Sequence, residues 1–228
     1  MADLEHAASG IGALAEPARR ALYQFVVAEP DAVSREQAAQ GVGVAVHSAK
    51  FHLDRLVDEG LLSVEFRRLN GRTGPGAGRP TKLYRRSGIE VSVSLPERRY
   101  DLVGHILAAG VDRSVRDGLP VSEAVHEAAA AEGRLIAAAA EPQGSERSEL
   151  ERTSAVLADH GYEPRLVDDE VLLANCPFDA LAREHTELVC GLNVALVSGV
   201  VDGLGCSGTE AVLAPRPDRC CVKARPRR

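Results

Sequence analysis

Five cysteines, Cys176, Cys190, Cys206, Cys220 and Cys221, lie after residue 175 of a 228-residue chain, and none precedes them. A free cysteine is usually a small buried hydrophobe, and each of these taken singly fits that role. Five of them gathered in one quarter of the chain point instead to a site. Thirteen residues separate Cys176 from Cys190, fifteen separate Cys190 from Cys206, and thirteen separate Cys206 from Cys220. These gaps lack the C-x-x-C knuckle through which a zinc ribbon supplies two ligands at once, so zinc is the alternative here. Widely spaced thiolates on several elements suit an iron–sulfur cluster, [4Fe-4S] or [2Fe-2S], which accepts ligands from different directions. Pro177 follows Cys176, as a proline follows the last cysteine of one ferredoxin motif. His185 precedes Cys190 by five residues, about 140° around a helix, so it is either a further ligand or an interior histidine with its own partner. A catalytic reading would make Cys190 or Cys176 a nucleophile with His185 or His160 as base. It needs one reactive cysteine where the chain offers a set, and the chain has no glycine-rich nucleotide loop or recognised catalytic motif. An enzyme is not expected; the stronger rival is a regulator that responds to a small apolar effector, with the cysteines merely structural.

Three elements must deliver these thiols. "GYEPRLVDDEVLLANCPF" alternates like a hairpin turning at Asp168 and Asp169, and brings Cys176 to a strand end. "DALAREHTELVCGLNVALVSGVVDGLG" predicts one helix with a stripe of Leu181, His185, Leu188, Leu192, Leu196 and Val200, and it carries Cys190. "TEAVLAPRPDRCCV" predicts a strand, a proline-restricted loop and a final short strand with Cys220 and Cys221.

Upstream the pattern is helical. "YDLVGHILAAGV" places Leu102, Val103, Ile106 and Leu107 on one side, and an alanine-rich helix begins near Ser122. Such a helix permits close approach of a second helix, so this segment is assigned to dimerisation, with packing inside the chain as the alternative. "EPQGSER" reads as a linker before a third helix, "SELERTSAVLADHG", and the valines of "GIEVSVSLPERRY" predict one more strand.

The first ninety residues carry a different chemistry. Pro17 opens a helix with Ala18, Ala21, Leu22, Phe25 and Val26 on one face. Ser34 is an N-cap for the short helix "REQAAQ", which ends at "GVGV". A longer helix runs from about Val44 to Gly60 with an apolar stripe of Val46, Ala49, Leu53, Leu56 and Val57. Short helix, tight turn and longer helix make a helix-turn-helix. "LLSVEFRRL" and "RPTKLYRRS", joined by the turn-rich "NGRTGPGAG", then predict a β-hairpin wing. Seven Lys or Arg and no Asp or Glu lie between Arg67 and Arg86. A basic hairpin beside such a helix neutralises phosphates flanking an occupied major groove of double-stranded DNA. Lys50, Arg67, Arg68, Arg72, Arg79 and Lys82 are assigned to phosphates, and His47 and Ser48 to base edges. Phe51 is assigned either to a thymine methyl or to a core or hinge contact.

The chain is 45% hydrophobic, enough for a substantial core. Its net charge of −6 excludes a protein that coats nucleic acid over its whole surface, so DNA contact must be local. The opening "MADLEHAASGIG" has neither the basic nor the apolar region of a secretion signal, and no long apolar run marks a membrane span. A cytoplasmic protein is expected, where thiols stay reduced. The expected fold class is α+β, mainly helical. Its predicted parts are a winged helix-turn-helix at 1–95, a helical dimerisation and linker segment at 96–145, and a cysteine-bearing α+β sensor domain at 146–228.

"HSAKFHLDRLVDEGLL" with the basic hairpin ending in "GRPTKLYR" resembles the ArsR-type winged-helix regulators of bacteria, over roughly residues 12–95. That resemblance implies a homodimer on an inverted-repeat operator. "ANCPFDALAREHTELVCGLN" with "PRPDRCCV" resembles the C-terminal region of the iron–sulfur-sensing ArsR-type repressors of SUF cluster-assembly operons. It implies Cys176, Cys190 and either Cys220 or Cys221 as cluster ligands. Some relatives use three cysteines; Cys206, in glycine-rich surroundings that suit a mobile loop, is the additional member of the set.

Overall fold

The computed structural model describes residues 2–68, 79–140, 147–216 and 219–227, with residues 2–4 and 6 described by backbone alone. Two units emerge, Met1–Val93 and Ser94–Arg228.

In the first unit, helices α1 (Ala2–Ala13), α2 (Pro17–Ala28), α3 (Arg35–Val42) and α4 (Val46–Asp58) accompany strands β1 (Val33–Ser34), β2 (Leu62–Arg67) and β3 (Thr81–Arg86). Pro17 follows an N-cap, Glu16, whose carboxylate accepts from the amides of Ala18 at 3.1 Å and Arg19 at 2.6 Å. Ser34 and Gln37 form a reciprocal capping box on α3, which satisfies two donors that a helix start leaves free. Gly43, at φ +77°, ends α3 and allows the tight turn into α4. Leu22, Val26, Ala38, Ala49, Leu53, Leu56 and Tyr84 fill the core between them. The antiparallel sheet has the order β1-β3-β2.

The structure differs from the sequence expectation at three places in this unit. The longer helix starts at Val46 rather than near Val44, and Val46 is exposed, so its buried stripe is Ala49, Leu53 and Leu56. The strand expected around residues 88–95 does not form; Val91 packs against the core from irregular backbone. The N-terminal residues, which lack the pattern of a secretion signal, form α1; glycines at 10 and 12 and a weak apolar period hide it in the sequence.

The second unit contains α5 (Tyr100–Asp117), α6 (Val121–Ala139), α7 (Glu149–Ala158), β4 (Pro164–Val167), β5 (Glu170–Leu173), α8 (Asp179–Glu184), α9 (Thr186–Gly203), β6 (Thr209–Leu213) and β7 (Val222–Pro226). Its antiparallel sheet has the order β4-β5-β7-β6. Asp168 and Asp169, at φ +48° and +60°, make the predicted turn between β4 and β5. By length and composition α9 is apolar enough to cross a membrane, yet here Val189, Leu192, Leu196, Val197 and Val200 are buried in the unit's core. Their burial explains its apolar character.

The alanine-rich helix α6, assigned to dimerisation with packing inside the chain as the alternative, meets α9 of the same chain at close range. A Cβ on Gly133 would stand 2.8 Å from the Val200 amide nitrogen, and one on Gly199 would stand 2.9 Å from the Ala130 carbonyl carbon. Only glycine lets these backbones meet. Gly110 similarly admits Val125 between α5 and α6, and Arg113 Nε lies 2.9 Å from Glu127 Oε2 across that pair. Residues 96–140 thus fold into the same unit as the C-terminal sheet.

Candidate nucleic-acid interface and thiol site

On α4, His47, Lys50 and Phe51 are exposed and Ser48 is half-buried. Phe51 is 65% exposed, so it is not a core residue. Its ring stands edge-on to His52 at 5.3 Å, and Arg19 Nε donates to His52 Nδ1, which braces α2 against α4. Arg67, Arg68 and Arg79 are exposed, whereas Arg72 lies outside the described residues. An open groove of about 760 Å³ runs past Arg35, Lys50, Asp54, Phe66, Arg79 and Lys82.

Lys50 and Lys82, both assigned to phosphates, converge on Asp54. Lys82 Nζ is 2.5 Å from Asp54 Oδ1, the Tyr84 hydroxyl donates to the same oxygen at 2.8 Å, and Lys50 Nζ is 3.4 Å from Oδ2. Burial pushes the Asp54 carboxyl up, but the hydrogen bonds from Lys82 and Tyr84 outweigh it and hold the group below its ordinary value. Burial, then the bond to Asp54, pushes the Tyr84 phenol well above its usual range. Arg67 and Arg85 share Glu65 at 3.7 and 3.8 Å. Neither Asp54 as the hub nor Arg35 as a groove residue is legible from the sequence. The hydrogen-bonded Lys–Asp–Tyr arrangement depends on the pairing of β3 beside α4, which no local spacing reports.

In the second unit, four of the five cysteines fall into two pairs, one with Cys220 and one with Cys221. Cys190 and Cys221 form a disulfide, with Cα atoms 6.6 Å apart. Cys220 is buried and lies near the half-buried Cys176, and each shifts the titration of the other. Sheet order produces this: β7 lies beside β5, the Cys220 amide donates to the Leu173 carbonyl at 3.0 Å, and Cys176 follows shortly after β5. Successive side chains of an extended segment diverge, so neighbouring cysteines reach different partners.

The Cys220 hydrogen bond holds the Cys176 thiol below its ordinary value despite burial, with help from the Phe178 amide. The same contact and burial push the Cys220 thiol far up. Arg98 fixes the segment, donating to the Cys176 carbonyl and to Asn175 Oδ1, each at 2.6 Å. Behind it, the Tyr162 hydroxyl donates to Asn193 Oδ1 at 2.5 Å and Asn193 Nδ2 donates to Cys220 Sγ at 3.3 Å. For Asn193 and Tyr162 the sequence offers one signal only, a single asparagine inside an apolar helix.

Two candidates stand apart. Cys206 lies beyond the C-terminal end of α9 and Cys190 near its start, about 20 Å apart along the helix at ~1.5 Å per residue. Cys206 is buried rather than placed on a mobile loop: Thr153 donates to its sulfur at 3.9 Å, its thiol donates to the Glu149 carbonyl at 3.7 Å, and burial pushes its pKa up. His185 breaks the predicted single helix into α8 and α9 and is exposed, so it is not an interior histidine. Among the described residues, no three His, Cys, Asp or Glu side chains stand together as a ligand set for one metal ion.

Residues 14–65 match the family described as helix-turn-helix domain, a span from the end of α1 into β2 that includes α3 and α4. That family comprises DNA-binding regulator domains and not enzymes. No curated protein and no solved structure matches the chain. The chain therefore carries the DNA-binding domain of a transcriptional regulator.

Proposed function

We propose that this chain is an ArsR-type repressor that binds an inverted-repeat operator as a homodimer in the cytoplasm, and that an iron–sulfur cluster on its C-terminal cysteines controls that binding. One observation carries the reading: Cys176, Cys190, Cys220 and Cys221 converge from three separate stretches of chain in the unit that does not contain the helix-turn-helix.

The donor set fits a cluster by its chemistry, since all four donors are thiols and none is a carboxylate. The sulfurs are closed into two pairs, so holding a cluster requires Cys190 and Cys221 to be reduced and Cys176 to part from Cys220. Cys176, Cys190 and Cys220 or Cys221 are the proposed ligands. When bound, the cluster supplies a crosslink sensitive to iron and oxidants. The chain supplies the rest: Arg98 and Asn175 anchor the Cys176 segment, Asn193 orients Cys220, and α9 ties Cys190 to α6. In a dimer, half-sites lie about 34–36 Å apart, so a change of a few ångströms between two copies of α4 weakens both contacts together.

The test is visible absorption with iron and sulfide analysis of protein purified without oxygen, alongside Cys176→Ser and Cys190→Ser. Broad visible absorption with matching iron and sulfide, lost in both variants, is expected. A colourless protein that takes up no cluster on reconstitution overturns the cluster reading and leaves a DNA-binding regulator.

A further inference from the structure

The chain enters the second unit at Ser94 and becomes helical only at Tyr100. Residues 97–100 are nonetheless held one by one by a single other stretch, 175–180, which leads from β5 into α8. The buried Asn175 side chain donates to the Glu97 carbonyl at 3.1 Å and to the Gly161 carbonyl at 2.6 Å. Arg98 donates to Asn175 Oδ1 and to the Cys176 carbonyl, each at 2.6 Å, and its guanidinium lies 3.7 Å from Asp179. The Arg99 amide donates to the Pro177 carbonyl at 3.1 Å, and the Tyr100 hydroxyl accepts from the Ala180 amide at 3.4 Å. At the other end, Val91 packs against the core of the first unit. Between these anchors run residues 92–96, with one local bond from the Arg98 amide to Ser94 Oγ. Six residue steps from Val91 to Glu97 reach at most about 22 Å, whereas release as far as Tyr100 makes nine steps and about 32 Å.

We propose that residues 97–100 and 175–180 form a clamp that sets the length of free chain between the two units, with Arg98 and Asn175 as its positioning residues. Closed, it leaves the helix-turn-helix on a short tether; open, it adds three residues of free chain. A longer tether lowers the effective concentration of one DNA-binding unit for the second half-site, so opening the clamp weakens binding to an inverted repeat. That consequence rests on the homodimer reading above; the clamp itself does not, and neither involves a cluster.

The test uses the full chain, Asn175→Ala, Arg98→Gln, and a variant with Gly-Ser-Gly inserted between Val93 and Ser94. Brief trypsin digestion of the folded proteins, read by mass spectrometry, measures cutting after Arg98 and Arg99, two bonds that the closed clamp protects. Asn175→Ala should raise the rate at both bonds by about tenfold or more, and Arg98→Gln should do so after Arg99. The insertion, which lengthens the tether and leaves the clamp closed, should not change either rate. DNA binding is read on a duplex selected by the natural chain from random sequence, as the ratio of its affinity to that for the same duplex with one half-site scrambled. Three further residues of free chain should lower that ratio about twofold in all three variants. The proposal is overturned if Asn175→Ala and Arg98→Gln are cut at the natural rate, or if cutting rises while the ratio keeps its natural value. Should Asn175→Ala lose its cooperative thermal transition, Arg98→Gln decides, because that side chain is partly exposed. A selected duplex with a single half-site refutes the homodimer reading, and the cutting rates still decide the clamp.

Discussion

Asp54 holds two lysines that a DNA phosphate would otherwise recruit, so Asp54→Asn should strengthen and sharpen the electrostatic part of DNA binding. Asparagine keeps an oxygen for the Tyr84 hydroxyl while removing the charge that Lys82 faces at 2.5 Å and Lys50 at 3.4 Å. Each lysine that newly neutralises a phosphate steepens log K against log salt by about 0.9. Two add about 1.8, so a fourfold rise in salt should weaken the variant about twelvefold more than the natural protein. Fluorescence anisotropy on duplex DNA of arbitrary sequence, repeated across a salt series, reads this directly. Equal slopes for the two proteins would refute the argument that Asp54 restrains cations at the interface. Stability offers a second readout. Because the folded Asp54 carboxyl is held below its ordinary value, its contribution is fully present above about pH 4 and is lost as pH falls through the depressed value. Acid unfolding of Asp54→Asn should lack that component.

Arg79→Ala should lower DNA affinity by similar factors for all sequences and make the salt slope shallower by about 0.9, while Ser48→Ala should change the ranking of sequences in a selection experiment. Gly199→Ala forces a methyl into the backbone of α6 and should destabilise the second unit by about 1–3 kcal/mol or more in urea unfolding. A cost below about 0.5 kcal/mol would mean the two helices are not in backbone contact. Tyr162→Phe leaves Asn193 Oδ1 without its donor in a buried position and should cost about 1–3 kcal/mol in the same measurement.

Local rules made the first unit readable. Pro17, the Ser34 cap and the glycine turn at 43 each act within a few residues, and all three operate as their types predict. The failed strand near residue 90 shows where such rules stop: alternation qualifies a segment for a sheet, but here the apolar Val91 is buried against the core from irregular backbone instead. The thiol site shows the same boundary. Spacing identifies three cysteine-bearing elements, yet only the placement of β7 between β5 and β6 puts Cys220 beside Cys176. Nothing local separates Cys206 from the others either; the length of α9 does. The alanine-rich helix is readable as a close-packing surface but not as one already used by α9, because a small residue admits any backbone equally well.

The glycine contacts between α6 and α9 also set a mechanical property. Side chains at an ordinary helix crossing can change rotamer and take up a small displacement, whereas two backbones touching at Gly133 and Gly199 have no such slack. The pair is a stiff beam. A force applied to Cys190 near one end of α9 is therefore transmitted into α6 instead of dissipating in the core, so the joint conserves small movements that a conventional leucine-lined crossing would absorb.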